Sequence, residues 1–158
     1  MTEKVCRQCS ADTSVRRLGR LEGADSGIKT AIVGLPIYDC TNGHKRFLTP
    51  AFPLQLIESL LKSDALAVAP QAVQKGLFRK HQHCPACGKE LPGQETSKSN
   101  TRKDVEMPDT EPVLVEVELP LYQCPACKQE VTLPKAGVER GVMQAVANAF
   151  RSADIPPG

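Results

Sequence analysis

Cys6 and Cys9 stand in a C-x-x-C spacing, and Cys40 and His44 follow about thirty residues later. Cys84 and Cys87 repeat C-x-x-C, and Cys124 and Cys127 repeat it again after a gap of similar length. This arrangement uses all seven cysteines of the 158-residue chain. It sorts the ligands into one set of three cysteines with a histidine and one set of four cysteines. Each set has the make-up of a tetrahedral structural zinc site, so two Zn2+ ions per chain are expected. Two sulfurs three positions apart on a tight turn aim at one metal, and a second turn closes the tetrahedron. Iron is the competing metal at the four-cysteine set. A four-ligand site leaves no position for water or substrate, so the spacing argues for architecture and against catalysis at the metal. Gly43 permits the sharp turn that places His44 four positions after Cys40. His81 and His83 lie just before Cys84, where they are expected to be exposed residues of the junction between two modules.

The resemblance between the halves extends beyond the ligands. Val33 to His44 reads VGLPIYDCTNGH, and Val117 to Lys128 reads VELPLYQCPACK. Val, Leu, Pro, an aliphatic residue, Tyr and Cys recur in register, and a Thr49-Pro50 or Leu133-Pro134 break follows each. Such self-similarity predicts a tandem repeat of two modules, 1–80 and 81–158, each with a metal site and a following helix. Domains of that size are marginal on burial alone and commonly need a staple. Aromatic content is 4% and Trp is absent, so the cores are thin and metal ligation has stability to supply.

Seven cysteines make an odd number, which suits a disulfide framework poorly. No apolar signal segment or run of eighteen apolar residues occurs, and the reading is a reducing, cytoplasmic setting without a membrane. Net charge is +2. The first 80 residues carry 12 basic against 7 acidic side chains, and the remainder 8 against 11. Metal-bound thiolates shift the halves to about +4 and −5. That polarity is not the footprint of a strong general nucleic-acid binder. Arg16, Arg17 and Arg20, with Lys45 and Arg46, form a basic cluster read as a solvated face, with contact to phosphate as the alternative. No spare Cys, G-x-S-x-G, P-loop or dinucleotide glycine run is present, so no catalytic and no cofactor-binding residue is assigned.

Along the chain, Val15–Leu21 and Ile28–Tyr38 are expected as a hairpin turning at Asp25-Ser26-Gly27. A helix over 53–66 would present Leu54, Ile57, Leu60 and Leu61 on one face, and a second short helix over 70–80 would present Val73, Leu77 and Phe78. Residues 92–112 are polar, charged and free of aromatics, which predicts a mobile hairpin tip. Val113–Tyr122 reads as a strand. A helix over 136–151 carries an apolar stripe of Val138, Val142, Met143, Val146 and Phe150. That stripe is expected against the first module's helix, against a second copy or partner, or against its own ribbon.

The order of ligand turn, hairpin, Pro-x-Tyr-x-Cys strand and second ligand turn resembles the zinc ribbons. Cys84, Cys87, Pro120, Tyr122, Cys124 and Cys127 match in particular the YgiT-type ribbon, known from the amino-terminal domain of the MqsA antitoxin. The first half matches at Cys6, Cys9, Pro36, Tyr38 and Cys40 and departs at His44. The resemblance implies a small metal-stabilised α+β fold of two tandem zinc ribbons, each followed by a helix. The MqsA antitoxin also has a helix-turn-helix domain, for which this sequence offers no counterpart. Some polymerase-associated ribbons place paired acids at a hairpin tip. Here Glu22, Asp25, Asp109 and Glu111 are the nearest candidates, and no Asp-Glu pair stands at a tip. The expected function is that of a non-enzymatic zinc-binding adaptor or small subunit acting through a protein partner. A nucleic-acid- or RNA-polymerase-associated accessory role is the alternative, and a thiol-based redox sensor is third.

Overall fold

The computed structural model describes residues 5–76, 81–108 and 110–156. Among the described residues, ten strands and two α-helices build a small α+β fold. The first expected hairpin is present but bent. Its outgoing arm splits into β1 (Thr13–Arg17) and β2 (Arg20–Asp25), and its return arm into β3 (Ile28–Val33) and β4 (Pro36–Cys40). Hydrogen bonds continue through the bend, from Leu18 N to Leu35 O and from Gly34 N to Gly19 O. Gly34 takes a positive φ of 74° there, a conformation open to glycine at little cost, and this lets one hairpin serve two sheets. β1, β4 and β5 (Lys45–Phe47) form a three-stranded sheet.

α1 runs over Phe52–Lys62 and a 3-10 turn, Asp64–Leu66, completes the expected helical stretch. Its buried face is Phe52, Leu56 and Leu60, rotated from the expected face, and Leu54 is 56% exposed. The expected helix over 70–80 does not form. Val73–Lys75 is a short strand, β6, paired with β7 (His81–His83), and the positive φ of 123° at Gly76 suits a turn, not a helix. Leu77 and Phe78 lie outside the described residues.

The stretch expected to be mobile is an ordered strand. β8 (Ser97–Met107) pairs antiparallel with β9 (Thr110–Gln123) from Ser97–Leu121 to Met107–Thr110. Its composition is polar because little of it is buried. Only Val105 and Met107 are inside. The neighbouring strand β9, with Val113, Val115, Val117 and Leu119 at 2% exposure or less, supplies the rigid partner, and backbone pairing plus cross-strand contacts do the rest. Arg102 reaches Glu116 at 3.2 Å across this pair. Two residues of β10 (Glu130–Val131) also bond to β9.

Strands from both halves of the chain share one sheet. β3 pairs antiparallel with β9, with Thr30 opposite Val117 and Val33 opposite Leu114. The sheet therefore joins β2, β3, β9, β8 and β10. α2 (Lys135–Ser152) follows the second ligand set, yet it packs on β2 and β3 of the first half, with few contacts to α1. Of its expected stripe, Val138, Val142, Val146 and Phe150 are buried and Met143 is 43% exposed. α1 in turn lies against β8. Each helix thus covers the hairpin of the other half, an arrangement outside the three expected for α2. Glycine makes the closest approach possible. A Cβ on Gly23 in β2 would sit 2.1 Å from the Ala145 carbonyl oxygen of α2, and one on Gly141 would meet Ile28 Cδ1 at 2.4 Å. One continuous apolar core holds residues of both helices and of β2, β3, β8 and β9.

Candidate metal centres

Both expected ligand sets assemble. In each, the four candidate ligand atoms all lie within 4.8 Å of one another. In the first set Cys9 Sγ is 3.7 Å from Cys40 Sγ, and His44 Nδ1 is 3.5 Å from Cys6 Sγ and 3.4 Å from Cys40 Sγ. In the second, Cys84 Sγ is 3.6 Å from Cys127 Sγ, and Cys87 Sγ is 3.4 Å from Cys124 Sγ. A tetrahedral ion at about 2.3 Å from sulfur and about 2.0–2.1 Å from nitrogen sets ligand–ligand edges of about 3.5–3.8 Å. The observed separations match those edges. They are far beyond the about 2.05 Å of a disulfide, and all seven thiols are free. Two Cys-rich groups in this small α+β fold can therefore each hold a metal ion.

Local backbone geometry explains why the ligands converge. In three of the turns the first cysteine's carbonyl accepts from the N–H four residues on, as with Ser10 N to Cys6 O, Gly88 N to Cys84 O and Lys128 N to Cys124 O. Its own N–H donates to the carbonyl five residues on, at Ala11, Lys89 and Gln129. The residue after the second cysteine is left-handed in each: Ser10 at φ 62°, Gly88 at 77° and Lys128 at 65°. The Cys40–His44 turn is one residue tighter. Gly43, at φ 82°, donates to Cys40 O, and Cys40 N donates to His44 O. The left-handed residue now precedes the second ligand, which brings imidazole Nδ1 to the place a thiolate takes elsewhere.

The strands position these turns. β4 ends at Cys40 and β5 starts at Lys45, so the first set lies at one end of the three-stranded sheet. β9 delivers Cys124 and β7 delivers Cys84. A small separate core of Ala72, Cys84, Leu91, Cys124 and Val131, with Tyr122 against it, backs the second set. Cys87 and Cys127 are exposed there, whereas Cys9 is half-buried and Cys6 and Cys40 are buried in the first set.

Hydrogen bonding tunes the thiols unequally. The side-chain amide of Asn42 donates to Cys9 Sγ at 3.2 Å and, with the N–H of Ala11, holds the Cys9 thiol down at about 6. The N–H of Cys127 brings Cys124 to about 6 as well. The N–H of Gln129 lowers Cys127, but partial desolvation of the thiol and the neighbouring Cys84, Cys124 and Cys87 together outweigh it and push Cys127 up to about 11. His44 is raised, first by its contact with Cys9 and then by Cys6. Asn42 is a neighbour of the first candidate metal group that spacing alone did not reveal. Its signal is an amide inside a ligand turn, C-T-N-G-H.

The remaining candidate residues fall elsewhere. His81 Nδ1 pairs with Glu90 at 2.7 Å, and His83 Nδ1 lies 3.2 Å from His81 O, so neither joins a metal group. The basic cluster divides. Arg16 pairs with Asp39, Arg17 with Glu111 and Arg20 with both Glu22 and Glu116, while Arg46 stacks over Tyr38 at 5.0 Å. Asp25 accepts from Ser26, and Asp109 lies outside the described residues. No helix among the described residues is long and apolar enough to cross a membrane.

Comparison with protein-family models, with curated proteins and with solved structures finds no match for this chain.

Proposed function

We propose that this chain is a zinc-binding adaptor, a non-enzymatic small subunit held in shape by two zinc ions and acting by presenting surface to a protein partner. The observation that carries this reading is the convergence of four candidate ligand atoms in each set, at separations that suit a shared ion. Seven thiolates and one imidazole suit a borderline-soft ion, and the mixed set favours zinc over iron, which commonly takes four sulfurs. Zinc with four protein ligands has no open position, so its contribution is structural. The second half runs in the order ligand turn, long β8–β9 hairpin, ligand turn, short β10. This supports a likeness to the YgiT-type ribbon, and the first half supports a tandem relative of it whose hairpin is bent. A reducing, cytoplasmic compartment would keep the thiols available as ligands.

Partner surface is on offer where the core leaves apolar side chains outside. Leu54 on α1 and Met143 on α2 are exposed, and half-buried Ile57 and Met143 share a groove that runs beside α2. The nucleic-acid-associated reading loses the support of Arg16, Arg17 and Arg20, whose charges are matched by carboxylates. The test is what co-purifies with the tagged native protein at two salt concentrations, with and without nuclease. A nuclease-resistant protein partner retained at high salt is the expected result. A steeply salt-sensitive, nuclease-sensitive association would replace this reading with the nucleic-acid one.

A further inference from the structure

Arg7, Lys45 and Arg46 line one cavity of 220 Å³, whose wall also includes Gln8, Thr13, Tyr38 and the candidate ligands Cys6 and His44. No acidic residue among the described residues lines it. None of the three cations is in an ion pair among the described residues, in contrast to Arg16, Arg17 and Arg20. Arg46 is also held in place. It lies opposite Tyr38 in the β4–β5 register, and its guanidinium rests over the Tyr38 ring at 5.0 Å. Its Nη2 is buried with no hydrogen-bond partner among the described residues. A guanidinium that lines a cavity without an ion pair among the described residues is a strong donor to an oxyanion through its accessible edge.

We propose that this cavity is a binding site for a phosphate group, with Arg46 as its fixed cation and Lys45 and Arg7 closing over the anion from the rim. Charge selects phosphate over carboxylate. The first ligand set with a divalent ion carries about −1 when its thiols are thiolates. Three cations leave about +2 beside it, which matches a dianion better than a monoanion. The volume of 220 Å³ admits a phosphate group together with part of the molecule that carries it. Gln8 and Thr13 bring uncharged polar groups to the same wall.

The test uses the full, metal-loaded chain titrated with inorganic phosphate, with acetate as the carboxylate arm, followed by calorimetry and by NMR shifts. Phosphate is expected to bind with a dissociation constant of about 1 mM or tighter. Arg46→Gln should weaken it about tenfold or more while both metals stay bound, as expected for loss of a charge-assisted contact. Lys45→Gln and Arg7→Gln should each weaken it less. Arg16→Gln, which removes a cation already paired with Asp39, should leave it unchanged. Binding weaker than about 10 mM overturns the proposal. So does acetate binding as tightly as phosphate, or an affinity that Arg46→Gln leaves intact. If Arg46→Gln fails to retain metal, the Lys45→Gln and Arg7→Gln pair carries the same expectation and the same refutation.

Discussion

Substituting Gly23 by alanine tests the least expected feature of the fold, the docking of α2 on the first half. A Cβ at Gly23 would stand 2.1 Å from the Ala145 carbonyl oxygen and 2.4 Å from the Ala149 nitrogen. Both are backbone atoms of one helix and cannot swing aside. Ordinary contact begins at about 3.5 Å, so the helix must withdraw by about 1 Å or more or the strand must bend. Withdrawal loosens Val142, Ala145, Val146 and Ala149, each 0% exposed. Overpacking of this kind costs about 1–3 kcal/mol. For a chain of this length each kcal/mol lowers the melting temperature by about 2–4 °C, which gives a fall of about 2–12 °C. Gly19→Ala is the control, because a Cβ there meets nothing within 4 Å. Both variants should retain both metals, since neither residue touches a ligand set. Thermal and denaturant unfolding at fixed metal concentration would read the difference. Equal stability of the two variants would refute the placement of α2 on β2.

Asn42→Ala should shift metal release from the first set to higher pH. The Asn42 amide keeps Cys9 near 6, a value depressed from 9.0, so the thiolate persists as pH falls until about 6. A depressed folded value means stability is present above the unfolded value and is lost as pH falls through the folded one. Without the amide, protons compete earlier. An unchanged acid midpoint in a chelator-coupled release assay would contradict this. Replacing 97–107 by a short Gly-Ser segment should abolish cooperative folding, since it strips the edge of β9 and removes Val105 and Met107 from the core. A well-folded product by amide NMR would show that β8 is dispensable. Cys124→Ser should lose the second metal and also lower the unfolding midpoint of the whole chain in one transition, because β9 pairs with β3. Two separate transitions, with the first half unaffected, would mean that the halves fold independently.

Both ligand sets could be read from the sequence, because metal geometry imposes a spacing that few other constraints imitate. Cys40 and His44 were legible for the same reason, with Gly43 marking the tighter turn. β8 was not legible. Its composition is that of a disordered segment, and its order comes from a partner strand and not from its own burial. Strand order across the halves was equally hidden, since local periodicity says nothing about which hairpin lies beside which. Gly23 and Gly141 carried a faint hint, as small residues where a strand and a helix touch, but each alone reads as a weak point in its own element. The stripe on α2 was correctly apolar at Val138, Val142, Val146 and Phe150. Its destination depended on the β3–β9 pairing that only the folded chain displays.

Elemental analysis of protein purified without added metal, paired with native mass measurement, counts the ions that the two cysteine-rich groups hold. Two zinc ions per chain are expected, one in each ligand set. Chelation of both should collapse the fold, because ligation is part of the folding free energy. A single ion, none, or the red colour of iron bound to the four cysteines would rule out two structural zinc sites.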